Sequence, residues 1–160
     1  MKIHNVHERT LPVPADAVWR MLETLGGPDD RLWPRDRWPA MKLDGGLEHG
    51  ARGRHSFIRY AVVGAEPGRR VRFRFRDTPG VDGEHGFEVL PAGDGAAVLR
   101  HVLDIDARGP FELYWRAMIG RMHDALLEDL LDRAEGRPPR GHDALVRAAR
   151  ALSRGVRRRV

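Results

Sequence analysis

Cysteine is absent from this chain of 160 residues. That excludes disulfides, thiol catalysis, cysteine-ligated zinc and iron–sulfur clusters, and it fits the reducing cytoplasm. Serine is scarce too. Ser56 and Ser153 are the only ones, and neither stands in a Gly-x-Ser-x-Gly elbow, so serine-hydrolase chemistry is not expected. Long apolar runs are missing: Tyr60-Ala-Val-Val63 is typical, far short of the roughly 20 residues of a membrane-spanning helix. The opening Met1-Lys-Ile-His-Asn-Val-His-Glu8 lacks the apolar core and small-residue cleavage site of a signal peptide, so the expected compartment is the cytoplasm. Glycines 45, 46, 50 and 53 form no phosphate loop, because neither Gly-Lys-Ser/Thr nor a dinucleotide fingerprint follows them. Eight histidines occur, but without His-Glu-x-x-His or another ligand spacing, and His4 and His7 project from opposite faces of a strand. Neither a metal nor a cofactor is expected.

Lysine is the other rarity, with Lys2 and Lys42 against 26 arginines, and the charge is unevenly placed. The formal net charge is +5, yet residues 136–160 hold eight arginines and a single acid, Asp143. The preceding 135 residues, with 20 basic and 22 acidic groups, are nearly neutral. The break falls at Gly136-Arg-Pro-Pro-Arg-Gly141, which cannot continue a helix. Two units are therefore expected, a globular body over 1–135 and a basic extension over 136–160. Within the extension Leu145, Ala148, Ala149, Leu152 and Val156 fall at helical spacing among arginines. Such a basic amphipathic helix docks on an acidic face of its own body or of a second copy in a homodimer. The alternatives are an anionic membrane or nucleic acid contacted through residues 142–160.

The body begins with a strand predicted over Lys2–Leu11. Pro14 and Asp16 then start a helix carrying Ala17, Val18, Met21, Leu22 and Leu25, which Gly26-Gly27 ends. A proline-rich loop with Trp33, Trp38 and Met41 follows. From residue 53 the period becomes two, clearest in Arg70-Val-Arg-Phe-Arg-Phe-Arg76, and turn signals divide it into strands of about 54–64, 70–76, 84–90 and 96–106. Pro110 opens the longest helical pattern, Phe111–Glu135. Trp115, Met118, Ile119, Met122, Leu126 and Leu130 form its apolar stripe, and Asp124, Glu128 and Asp132 its polar face. A one-faced sheet needs a cover, and only this helix is long enough. The expected class is α+β, a curved antiparallel sheet around a long C-terminal helix.

That order of elements resembles the helix-grip fold of the SRPBCC superfamily, which includes START-like, birch-pollen-allergen-like and polyketide cyclase/dehydrase-like proteins. The resemblance rests on Leu11-Pro-Val-Pro-Ala-Asp-Ala-Val-Trp-Arg20, on Val63-Gly-Ala-Glu-Pro-Gly-Arg-Arg-Val-Arg-Phe-Arg-Phe75 and on Trp115 through Glu135, within residues 1–135. It implies a cavity between sheet and long helix. It implies no universal catalytic residue, since the superfamily includes carriers, receptors and cyclases.

Polar residues on inward faces are the candidates for chemistry. His101 shares a face with Leu99, Leu103 and Ile105, and His85 with Phe87 and Val89. Either imidazole beside a dry pocket is a candidate acid–base group or ligand anchor. Of the neighbours Arg59 and Tyr60, Tyr60 is expected inward, because the charge then faces water. Phe57 belongs to the opposite face in that phase and is kept as an alternative wall residue. Trp38, Phe73, Phe75, Phe87, Met118 and Met122 complete the expected apolar wall. His123 is read as flanking the helical stripe, and mid-helix Gly120, costing about 1 kcal/mol against alanine, marks a close approach, room for a ligand or a gate. The leading expectation is binding of a small apolar or amphipathic ligand such as a lipid or polyketide. The alternatives are a cyclase/dehydrase-like enzyme using His85 or His101, and an interaction protein working through its basic tail.

Overall fold

The computed structural model describes the backbone of residues 1–157 and the side chains of residues 1–151. Seven strands form one antiparallel sheet: β1 (Lys2–Leu11), β2 (Lys42–Leu43), β3 (Arg52–His55), β4 (Ile58–Glu66), β5 (Arg70–Phe75), β6 (Val81–Pro91) and β7 (Ala97–Ala107). Their spatial order is β1-β7-β6-β5-β4-β3-β2, so the first strand closes against the last. Helix α1 (Ala15–Leu22) follows β1. The long helix comprises α2 (Pro110–Tyr114), a π-helical turn (Trp115–Ile119) and α3 (Gly120–Glu135), and α4 (Ala144–Arg157) ends the described chain. Among the described residues no helix is long and apolar enough to cross a membrane.

Period two produces the sheet's two faces. Val71 and Phe73 on β5, Phe87 and Val89 on β6, and Leu99, His101 and Leu103 on β7 are all buried, while Arg70, Arg72 and Arg74 face water. Out on that wet face Arg72 and Arg74 pair with Glu84 and Asp82 on the neighbouring strand. At Gly86 on β6 a Cβ would stand 2.2 Å from the Val71 carbonyl oxygen of β5, so the backbone there admits only glycine.

Two sequence expectations need correction. The strand expected over 54–64 is a hairpin. β3 and β4 pair from Arg52↔Ala61 to His55↔Ile58 around the two-residue turn Ser56-Phe57, with Ser56 at φ 53°. Phe57 therefore sits on the hairpin tip, 59% exposed, and cannot be a wall residue. Tyr60 does point inward, because Gly53 lies opposite it and leaves room for the ring. The long helix is also not uniform. The π turn widens one turn by a residue and rotates Met118 to the surface, 37% exposed. Gly120 serves that turn, since the Trp115 indole folds over it, with Nε1 3.3 Å from where a Cβ would be.

The polar face of α3 meets β1. Inward positions of β1 alternate as Ile3, Asn5, His7, Arg9 and Leu11, and the central three are polar. Arg9 donates to Asp132 (3.1 Å), Glu135 (2.7 Å) and Glu128 (3.0 Å). The basic extension docks on the same helix. Arg140 binds Asp132 through two nitrogens at 2.6 Å, His142 Nε2 lies 2.9 Å from Asp129 Oδ2, and Val146 and Ala149 are buried. Leu152 and Val156 of the expected stripe lie outside the described side chains.

Candidate functional site

Between the sheet, the long helix and the loop before β2 lies a cavity of about 150 Å³. Its floor comes from His85, Phe87, His101, Leu103 and Ile105 on β6 and β7. The helix contributes Trp115, Ile119, Met122, His123 and Leu127, and the loop contributes Trp33, Trp38, Pro39 and Met41. Phe75, His55, Ser56 and Ile58 close the hairpin side and Phe111 the helix start.

Local sequence explains how the loop reaches its place. Asp30 accepts the backbone N–H groups of Leu32 (2.9 Å), Trp33 (2.8 Å) and Gly26 (2.8 Å), folding the Gly/Pro/Asp-rich stretch into a compact turn. The Trp33 indole then donates to the Pro39 carbonyl at 2.8 Å, and the Trp38 indole to Asp129 of α3 at 2.7 Å. Both tryptophans are thus presented to the cavity with their N–H groups satisfied.

Of the residues expected from sequence, Trp38, Phe75, His85, Phe87, His101 and Met122 line this cavity. Phe73 and Tyr60 do not. They pack behind His85, Phe73 stacked on it with centroids 5.0 Å apart and Tyr60 edge-on at 5.2 Å. Phe57 and Met118 are surface residues. His123, expected to flank the stripe, faces the cavity. His55, the last residue of β3, carries no inward signal in the sequence, and only the hairpin at Ser56-Phe57 turns it toward the cavity.

Four imidazoles therefore meet an otherwise apolar cavity. His101 Nε2 and His85 Nδ1 are 3.4 Å apart, and the His101 and His123 rings are 5.4 Å apart. His55 Nδ1 lies 3.2 Å from the Tyr60 hydroxyl. Burial disfavours the charged form of each. It lowers His55 to about 4, with help from His123, and His85 to about 3, with help from His55 and His123. His101 is held well below its ordinary value by burial and by its imidazole neighbours. His123 is also lowered, burial outweighing the opposing pull of Asp124. At neutral pH the cavity presents neutral imidazoles, each with one donor and one acceptor nitrogen. His85 Nε2, His101 Nδ1 and His123 Nδ1 are buried with no hydrogen-bond partner among the described residues. Unpaired buried polar atoms are costly, and these three are closed off from water within the walls around the cavity.

A second cluster adjoins the first. His7 of β1 stands opposite His101 in the β1–β7 register, its ring 6.1 Å from that of His123. His7 Nδ1 is 2.9 Å from Glu128 and Nε2 is 3.0 Å from Asp124, which raises its pKa, Asp124 contributing most. His7, His123 and Asp124 offer ligand atoms within 4.8 Å of one another. Sequence spacing could not show this grouping, because His7 and Asp124 are 117 residues apart.

Comparison with known proteins agrees with this architecture. Norcoclaurine synthase from Thalictrum flavum superposes with a TM-score of 0.65 at 14% identity, covering 85% of this chain and 86% of that one. CalU16 from Micromonospora echinospora gives 0.62 at 16% identity over 94% of this chain and 83% of its own. A Thermobifida fusca protein solved in solution gives 0.61 at 16% identity over 87% and 99%. At such identities the likeness shows the fold alone. Among curated protein sequences none matches. Residues 2–135 match the model of one family, polyketide cyclase / dehydrase and lipid transport, and it is to this family that the chain belongs.

Proposed function

We propose that this protein binds a small, largely apolar ligand carrying one to three polar groups, held between the sheet and the long helix. One observation carries the reading: the cavity is lined by apolar side chains with only Ser56 and the imidazoles of His55, His85, His101 and His123 among them. Burial of ligand hydrocarbon supplies the drive, about 25 cal/mol per Å² removed from water, and the imidazoles orient the ligand. A volume of about 150 Å³ suits a single aromatic ring rather than an extended lipid or polyketide chain. Dopamine and hydroxybenzaldehyde, both held by norcoclaurine synthase in one of its crystal structures, are ligands of that size and serve as first probes.

The test is thermal denaturation of the full chain against single-ring phenols, aromatic aldehydes and short acyl compounds. A binder raises the midpoint as its concentration passes Kd, and Leu103→Phe, which fills the floor of the cavity, abolishes the rise. A panel without effect, or an undiminished effect in Leu103→Phe, refutes the reading.

A second reading, acid–base catalysis on a bound carbonyl compound, is favoured by the 3.4 Å approach of His101 to His85. The pair lets one neutral imidazole move a proton while the other holds its tautomer. Among the described residues no carboxylate bonds either ring, so His85 does the orienting. Under this reading His101→Ala loses turnover while keeping ligand affinity. Equal loss of both, or of neither, leaves a binding protein.

A further inference from the structure

We propose that His7 Nε2, His123 Nδ1 and a carboxylate oxygen of Asp124 form a binding site for a divalent transition metal, zinc being the best fit, at the edge of the cavity. The three groups come from β1 and the first turns of α3. Asp124 Oδ1 is 3.0 Å from His7 Nε2 and 3.7 Å from His123 Nδ1, and all three ligand atoms fall within 4.8 Å of one another. Those separations suit three corners of a four-coordinate site whose metal–ligand bonds are about 2.0–2.2 Å.

The surroundings select the ligand atoms. His7 Nδ1, 2.9 Å from Glu128 Oε1, keeps its proton on that carboxylate, and Nε2, 3.0 Å from Asp124 Oδ1, gives up its own when a metal ion takes its place. This is the carboxylate–histidine support that orients metal-bound imidazoles. Asn5 Nδ2 donates to Asp124 Oδ1 at 3.0 Å and holds the carboxylate in place. An imidazolium clamped between Asp124 and Glu128 accounts for His7 by itself. It leaves His123 Nδ1 unexplained, a buried nitrogen with no hydrogen-bond partner among the described residues that lies on the same carboxylate. A metal ion satisfies all three atoms together.

Two imidazoles and one carboxylate suit Zn²⁺, Co²⁺ or Ni²⁺ rather than Ca²⁺ or Mg²⁺, which prefer all-oxygen sets. The Asp124 side chain is half exposed, so an ion has a route from solvent. Three protein ligands leave a coordination position for water or for an oxygen of a ligand, and His123 also lines the cavity.

The experiment is calorimetric titration of the full chain with ZnCl₂, paralleled by visible absorption on adding CoCl₂. One ion per chain is expected, with the intense d–d bands of a low-coordinate cobalt site. Asp124→Asn and His7→Ala each weaken binding at least a hundredfold, and Glu128→Gln, which touches no ion, weakens it about 10–100-fold. His4→Ala, which disrupts the exposed His4–Asp104 pair, leaves affinity unchanged. If His7→Ala does not fold, Asp124→Asn carries the test, since its position is half exposed. Absence of saturable binding, equal affinity in Asp124→Asn, or loss in His4→Ala overturns the site.

Discussion

Asp129 offers the sharpest test of how the cavity mouth is held. Its side chain is 1% exposed and takes three hydrogen bonds: Arg37 Nη1 at 2.7 Å, Trp38 Nε1 at 2.7 Å and His142 Nε2 at 2.9 Å. One carboxylate thus joins α3, the loop that carries Trp38 into the cavity and the basic extension. In Asp129→Ala the Trp38 indole N–H stays buried without its acceptor, costing about 1–3 kcal/mol, and the Arg37 charge loses its buried carboxylate. Breaking a buried pair from one side costs about 3–5 kcal/mol in all. In a chain of this length that lowers the melting temperature by about 8–16 °C. Asp129→Asn costs less, about 2 kcal/mol, because an amide oxygen in place of Oδ2 keeps Trp38 and His142 as partners and only Arg37, now facing the NH₂, loses that acceptor. Urea unfolding followed by tryptophan fluorescence measures both values, with the m-value expected to stay constant. A double-mutant cycle adds the decisive comparison. His142→Ala costs less on the Asp129→Ala background than in the parent chain, because the bond is already gone and only the ring's packing beside Trp38 is left to lose. Loss of less than about 0.5 kcal/mol in Asp129→Ala, the range of ordinary surface changes, or strict additivity of the two changes, refutes the three-bond arrangement.

Gly53→Ala places a Cβ 2.2 Å from Tyr60 Cε2 and 2.6 Å from Leu43 Cδ2, so the ring must leave its place beside His55. Thermal denaturation is expected to show a loss of about 1–3 kcal/mol, whereas Gly141→Ala, with nothing within 4 Å, is neutral. The cavity imidazoles predict a pH effect of definite sign. His55 and His85 titrate near 4 and 3 in the folded chain and near 6.5 when unfolded, so below pH 6.5 the unfolded chain binds more protons. Their contribution is complete above pH 6.5 and is lost as pH falls toward the folded values, by about 1.4 kcal/mol per pH unit for each imidazole. Ring-resonance titration by NMR tests the cause directly: midpoints near 6.5 for either residue contradict the burial described above.

Most of the fold was legible because its two periods are undiluted. Arg70–Phe75 alternates without a break, and the stripe from Trp115 to Leu130 admits no reading but a covering helix. What failed was local geometry that leaves little trace in composition. Ser56-Phe57 makes a two-residue turn without the Asn-Gly or Asp-Gly that usually marks one, so β3 and β4 read as a single strand. In a single strand Phe57 stays open as an alternative wall residue, and nothing marks His55 as inward. The π turn left only Gly120 as a sign, a glycine that accommodates a folded-back Trp115, and a regular helical wheel placed Met118 where His123 belongs. The carboxylates of α3 read as an acidic face for the basic extension, and Arg140 does bind Asp132 there. Their other partners are the inward Asn5, His7 and Arg9 of the first strand, more than a hundred residues earlier.

The division of the interior explains why the cavity stays open. On the β1 side, Arg9 and the carboxylates of α3 set the distance between helix and sheet through directional bonds. On the β6 side, the side chains facing the same helix do not fill the space so defined. Residual apolar cavity costs about 24 cal/mol per Å³, so about 150 Å³ corresponds to roughly 3–4 kcal/mol that a well-fitting occupant recovers. Packing alone therefore yields a Kd of about 2 mM. Each hydrogen bond that a ligand makes to Ser56 or to a lining imidazole adds about 1 kcal/mol, and three such bonds bring Kd to about 10 μM. On this arithmetic affinity discriminates by polar groups more than by bulk. An unsubstituted ring binds weakly, and a ring of the same size bearing two or three hydroxyl or carbonyl groups binds about a hundredfold more tightly.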